Sequence, residues 1–167
     1  MIYFTADWHL DHKNIIKYCK RPFHNCEEME QRILDTYRDS INENDIVYFL
    51  GDIFWNTKLN KMKSILDSLP GTKHLIKGNH DKAPIRRYLE AGFVSVHKTR
   101  VVSSFEFKYS CVLVHDPALS QMDRNQKYLC GHIHDLFVVK KNVLNVGVDV
   151  WNYYPVPFFS VSYHFDA

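Results

Sequence analysis

Ile46-Val47-Tyr48-Phe49-Leu50-Gly51-Asp52 is a short apolar, β-branched run that stops at a glycine and a carboxylate. Such a run reads as a buried strand with a polar group at its exit. The pattern recurs in both directions along the chain. Met1 to Ala6 leads into Asp7-Trp8-His9, and His74 to Lys77 into Gly78-Asn79-His80-Asp81. The run 111–115 ends in His115-Asp116, and 127–130 leads into Gly131-His132-Ile133-His134. One cluster of this kind means little, because Asp and Asn are common in turns. Five in order, each at the exit of an apparent strand, predict one site assembled from the whole chain.

Helical patterns separate the first strands. Asn25 with Glu28 forms a capping box for a helix reaching about Ile41, striped by Met29, Ile33, Leu34, Tyr37 and Ile41. Leu59, Met62, Ile65, Leu66 and Leu69 mark a second helix closed by Pro70-Gly71, and Ile85 to Ala91 a third stopped by Gly92. Beyond Phe93 the runs 93–97, 99–103, 104–109, 111–115, 127–130, 135–140, 143–148 and 158–165 read as strands, with a hairpin turn at Lys141-Asn142. A βαβαβα half followed by mostly antiparallel strands predicts an α/β fold with two sheets face to face and helices outside. No linker or repeat interrupts residues 1–167, which read as one domain.

Composition narrows the class. A net charge of +2 is too small to argue for nucleic acid or an anionic membrane surface. No apolar run approaches the ~20 residues needed to span a bilayer. Cys19, Cys26, Cys111 and Cys130 lack CxxC spacing, and the last two sit in strand-like runs as buried free thiols. The N-terminus enters a strand without a basic leader. These features point to a soluble, cytoplasmic protein with no membrane partner.

The clusters carry donors suited to divalent metals. In an extended exit alternate side chains share a side, so Asp7 and His9 reach one ion, and His132 and His134 have the same spacing. Asp52 is the natural bridge, since one carboxylate can hold two cations roughly 3.5–4 Å apart. Such a pair turns a bridging water into hydroxide and clamps phosphoryl oxygens. Asp, Asn and His without thiolate suit Mn²⁺ first, then Fe, Zn²⁺ or Ni²⁺, rather than Mg²⁺. His80, between Asn79 and Asp81, is left free as a general acid.

Together DWH, GD, GNHD, the lone His115 and GHIH resemble the signature blocks of the calcineurin-like metallophosphoesterase superfamily. The resemblance implies a four-layer α/β/β/α sandwich with a dinuclear metal site at the strand ends. It implies Asp7, His9, Asp52 and His134 on one ion, Asp52, Asn79, His115 and His132 on the other, and His80 as the acid. Asp11 to Ile16 and Asn145 to Tyr153 resemble a small group of bacterial and phage phosphoesterases within it. Protein phosphatases of the superfamily carry GDxxDRG, whose second Asp orients the catalytic histidine. Here Trp55 stands at that place, which leaves Asp81 and Asp11 as candidate partners of His80.

Three further residues are candidate substrate contacts. His12 either approaches the substrate or caps the following helix. Arg21 either pairs a phosphate bidentately or forms a salt bridge. Trp55, with Trp151, Tyr153 and Tyr154, offers an aromatic platform for a nucleobase. The expected activity is metal-dependent phosphoester hydrolysis of a small phosphoester or nucleotide by a metal-bridging hydroxide, with phosphodiesters favoured. The alternatives are a nucleic-acid nuclease and a catalytically silent binding protein on the same fold.

Overall fold

A computed structural model describes residues 1–103, 110–118, 123 and 125–166. The described residues form two five-stranded sheets packed face to face. The first sheet takes β1 (Ile2–Thr5), β2 (Ile46–Phe49), β3 (Thr72–Ile76), β4 (Ser95–His97) and β10 (Val156–Pro157), in the order β10-β1-β2-β3-β4. All its pairings are parallel except β1 with β10. The second contains β5 (Arg100–Val102), β6 (Cys111–Leu113), β7 (Lys127–Cys130), β8 (Val139–Lys140) and β9 (Val143–Asn145), in the order β5-β6-β7-β9-β8.

Helices α1 (Lys13–Tyr18), α2 (Cys26–Ser40), α3 (Leu59–Asp67) and α4 (Ile85–Ala91) cover one face of the first sheet. Their core joins Met29, Ile33, Tyr37, Met62 and Leu66 to Val47, Phe49 and Leu75. Alternation along each strand then sends Phe4, Tyr48, Leu50 and Ile76 the other way, against Cys111, Leu113, Leu129 and Leu144 of the second sheet. Asn25 caps α2 by accepting from the Glu28 amide at 2.8 Å, but Glu28 answers to the His24 amide (2.7 Å) rather than to Asn25. The box is therefore shifted by one residue.

Two expectations change. The strands after residue 93 are not mostly antiparallel: β6, β7 and β9 run parallel, with antiparallel partners only at the edges β5 and β8. Parallel neighbours need crossover connections, which tight hairpins cannot supply. The run 158–165 is a helix, α5 (Phe158–Asp166), not a strand. Its aromatic and β-branched content suggested a strand, but Phe158, Val161 and Phe165 recur at helical spacing and pack into the inter-sheet core. The strand expected at 135–140 shrinks to Val139–Lys140, and the one expected at 104–109 lies outside the described residues. Cys111 and Cys130 are buried free thiols, as expected. Among the described residues no helix is long and apolar enough to cross a membrane.

Candidate metal centre

The parallel direction of β1, β2, β3, β6 and β7 puts their C-terminal ends on one side, where polar loops gather. Ladder bonds continue past the strands and fix the loops in register. The amide of Asp7 donates to the Gly51 carbonyl (3.0 Å), that of His9 to Asp52 (3.0 Å) and that of Gly131 to His115 (3.1 Å). A bridge between Ala6 and Gly147 ties the two sheets together one residue before Asp7.

Three groups of possible donors result, each with donor atoms within 4.8 Å of one another: Asp7, His9 and His134; Asp52, His115 and His132; and, sharing His134 with the first, Cys19, His134 and Asp149. The first two match the expected ion sites. Asn79 joins the second group: its Oδ1 lies 2.8 Å from His115 Nε2 and 3.0 Å from His132 Nδ1. Asp52 Oδ2 lies 3.2 Å from His115 Nε2 and 3.9 Å from His9 Nε2, within reach of both groups.

Backbone strain concentrates here. Asp7 (φ 59°), His9 (51°), Asp52 (55°), His132 (73°) and His134 (48°) all occupy the left-handed region. That region costs a non-glycine residue roughly 1–2 kcal/mol, so the surrounding structure imposes it. Close approach adds a steric demand. A Cβ on Gly78 would collide with the Asp52 carboxylate, and one on Gly131 would lie 2.8 Å from Asp7 Oδ2.

The electrostatics of the donors are set by burial and by one another. Burial, partly offset by His115 and His134, pushes Asp7 up to about 6. Burial also drives His9 down to about 3. Burial opposes charge on His115 too, yet its bond to Asp52 lifts it to about 9; the same bond holds Asp52 below the usual carboxylate range despite its own burial. Asp7 Oδ1 and both ring nitrogens of His9 are buried without a hydrogen-bond partner. Such orphaned donors and acceptors are costly unless something else satisfies them. An Asp, Asn and His donor set with these unmatched atoms fits divalent cations, whose binding displaces the protons on these groups.

A family model for calcineurin-like phosphoesterases matches residues 1–162. The chain belongs to that family. This phosphoesterase is 35% identical to the uncharacterized protein MJ1445 of Methanocaldococcus jannaschii over 164 residues, 93% of this chain and 85% of that one. It is 28% identical to the gene 66 protein of Mycobacterium phage L5 over 81 residues, 47% of this chain and 39% of the phage protein. Among solved structures it is similar to AQ665, a protein of unknown function from Aquifex aeolicus, with a TM-score of 0.79, 23% identity and 98% of each chain covered. The Pseudomonas putida nuclease MPE is similar over 80% of this chain and 61% of its own, with a TM-score of 0.51 and 19% identity. At such identities these two structures speak for the fold.

Asp149, which no motif marks, also lies beside the donor groups. It follows a strand end, as the other candidate residues do, within the 3-10 turn Val148–Val150. Its Oδ2 accepts from His134 Nδ1 at 2.9 Å, which holds that ring beside Asp7 and His9, with Cys19 also in reach. Burial opposes the His134 charge, but the bond to Asp149 raises that ring to about 10.

For Arg21 the structure takes the second of its two readings, a salt bridge, though a buried one rather than a surface one. It is buried rather than presented to substrate. Its Nε and Nη2 pair with Asp149 at 2.8 and 2.9 Å, and Nη1 and Nη2 donate to the carbonyls of Trp8 (2.9 Å) and Asp7 (2.6 Å). The fork is consumed by protein acceptors, binding the Asp7 loop to His134 through Asp149. Asp149→Asn should therefore weaken retention of one ion about 10–100-fold, the usual range for a lost outer partner. It should also lower Tm, since the buried Arg21 loses its counter-charge. Metal titration and thermal melts check both; unchanged ion affinity would reject the orienting role.

The partners expected for His80 are engaged elsewhere. Asp81 Oδ2 accepts from the amides of Asp52 (2.9 Å) and Gly78 (2.7 Å), clamping the two loops. Asp11 pairs with Thr57 and Lys61. The aromatic platform is likewise dispersed: Trp151 donates to the Asn145 carbonyl, Tyr153 is buried against Phe23, and Tyr154 lies beneath Arg32. Only Trp55 of that set stands beside the centre, with His12 and His80.

Proposed function

We propose that this phosphoesterase is a single-domain, cytoplasmic hydrolase of phosphodiesters that works with two divalent ions, Mn²⁺ foremost. The observation that carries the reading is Asp52 Oδ2, within 3.2 Å of His115 and 3.9 Å of His9, so that one carboxylate serves both donor groups. Asp7, His9, Asp52 and His134 hold one ion; Asp52, Asn79, His115 and His132 hold the other. Bound there, the pair supplies an activated water and neutralises phosphoryl charge.

The chain's own groups do the rest. Asp52 fixes the catalytic loop, since its Oδ1 accepts from the His80 amide at 2.9 Å. His80, whose ring is solvent-exposed, protonates the departing oxygen. Two features favour a diester. Trp55 replaces the carboxylate of the protein phosphatases. Arg21, the guanidinium that could have matched the second charge of a monoester, is spent on Asp149.

The test is a metal-reconstituted panel of bis(p-nitrophenyl) phosphate, p-nitrophenyl phosphate and a phosphoserine peptide. The diester should give the highest kcat/KM. A clear preference for the peptide would restore the protein-phosphatase reading. Nucleic acid is the second substrate class, suggested by the name of the Pseudomonas putida neighbour. Cleavage falling steeply with added salt would favour it, because released counterions drive such binding; a small dinucleotide should be nearly insensitive.

A further inference from the structure

His80 sits in a position that normally calls for an orienting carboxylate, yet among the described residues its ring touches only two others. These are the indole of Trp55, at 4.7 Å between ring centres and 57° between planes, and the imidazole of His9, at 5.8 Å. Trp55 is itself pinned. His12 stacks on it face to face at 3.8 Å and 7°. Its amide donates to the Leu10 carbonyl at 2.9 Å, beside the bridge that pairs Leu10 with Phe54. His12 is anchored in turn, because its amide donates to the His9 carbonyl (3.0 Å) and its carbonyl receives the Ile15 amide at the start of α1 (3.1 Å).

The result is a row of three rings, His12, Trp55 and His80, running from a helix start to the mouth of the metal centre. One face of the indole is already covered by the His12 imidazole, which limits its use as a nucleobase platform. We propose that Trp55, braced by His12, is the positioning residue of His80, fixing by ring contact an orientation that protein phosphatases fix by a carboxylate. This rests on the reading of His80 as general acid. The chemistry differs from the carboxylate arrangement in one respect: among the described residues neither His80 ring nitrogen is committed to a protein acceptor, so either can face the departing oxygen.

The test combines kinetics with side-chain dynamics. Trp55→Ala should lower kcat about 10–100-fold on an alkyl-leaving phosphodiester and far less on a p-nitrophenyl one, with KM little changed and both ions retained. In a His80→Ala background it should add less than twofold, and Trp55→Phe should restore most of the rate. Carbon-13 relaxation of the His80 ring in the metal-loaded protein should show an ordered ring in the parent and in Trp55→Phe, and a mobile one in Trp55→Ala. A KM effect that persists without His80 would make Trp55 a substrate contact and overturn the proposal. So would an equally ordered His80 ring in Trp55→Ala, or loss of an ion. If the ring loosens as expected while His80→Ala shows no leaving-group dependence, positioning stands and the general-acid reading alone fails.

Discussion

Asp52→Asn abolishes turnover and releases at least one ion; this is the largest effect expected of any single substitution. The carboxylate is buried, with His115 at 3.2 Å and His9 at 3.9 Å from the same oxygen. An amide keeps the shape and still accepts from the His80 amide through one oxygen. It removes the negative charge that lets two cations sit close together. Losing several kcal/mol of charge stabilisation corresponds to roughly 10³-fold or more in rate. Elemental analysis of the dialysed variant, beside its kinetics, checks the expectation. Two tightly held ions in the variant would remove Asp52 from the bridging role.

His80→Ala should keep both ions and the fold while its rate falls by about 10²–10⁴, the range for a positioned acid. Asn79 and His80 are adjacent, but only Asn79 turns toward His115 and His132. The His80 ring lies with Trp55, outside the donor groups. The deficit should therefore follow the leaving group: large for alkyl esters, which depart poorly as alkoxides, and small for p-nitrophenyl esters, which hardly need a proton. A displaced metal would slow both alike. Equal losses on the two substrate types, or a missing ion, would reject the assignment.

Much of this was legible in the sequence because its signal is local. Each motif lies directly after a strand, and strand direction gathers the ends without further specification. The turn glycines could be read in the same way, since Gly78 and Gly131 precede residues whose neighbours need the space. What stayed hidden depends on contacts distant in the chain. Arg21 and Asp149 are 128 residues apart and meet only when α1 and the last turn fold onto the same loop. Nothing in either neighbourhood distinguishes that pair from a phosphate-binding arginine and a solvated acid. The stack of His12 on Trp55 joins two loops in the same way. Asp81 looked like an acid beside a catalytic histidine, but its backbone bonds to Asp52 and Gly78 turn it inward.

The left-handed backbone at Asp7, His9, Asp52, His132 and His134 bears on how this sequence can drift. At each of these positions glycine would sit more comfortably than the residue present. Local conformational preference thus pulls toward replacing the donors, against the loop hydrogen bonds that Asp7 and Asp52 accept. A copy of this gene released from selection for catalysis would be expected to lose histidines and aspartates at these turns first, while the buried strands leading to them stayed intact.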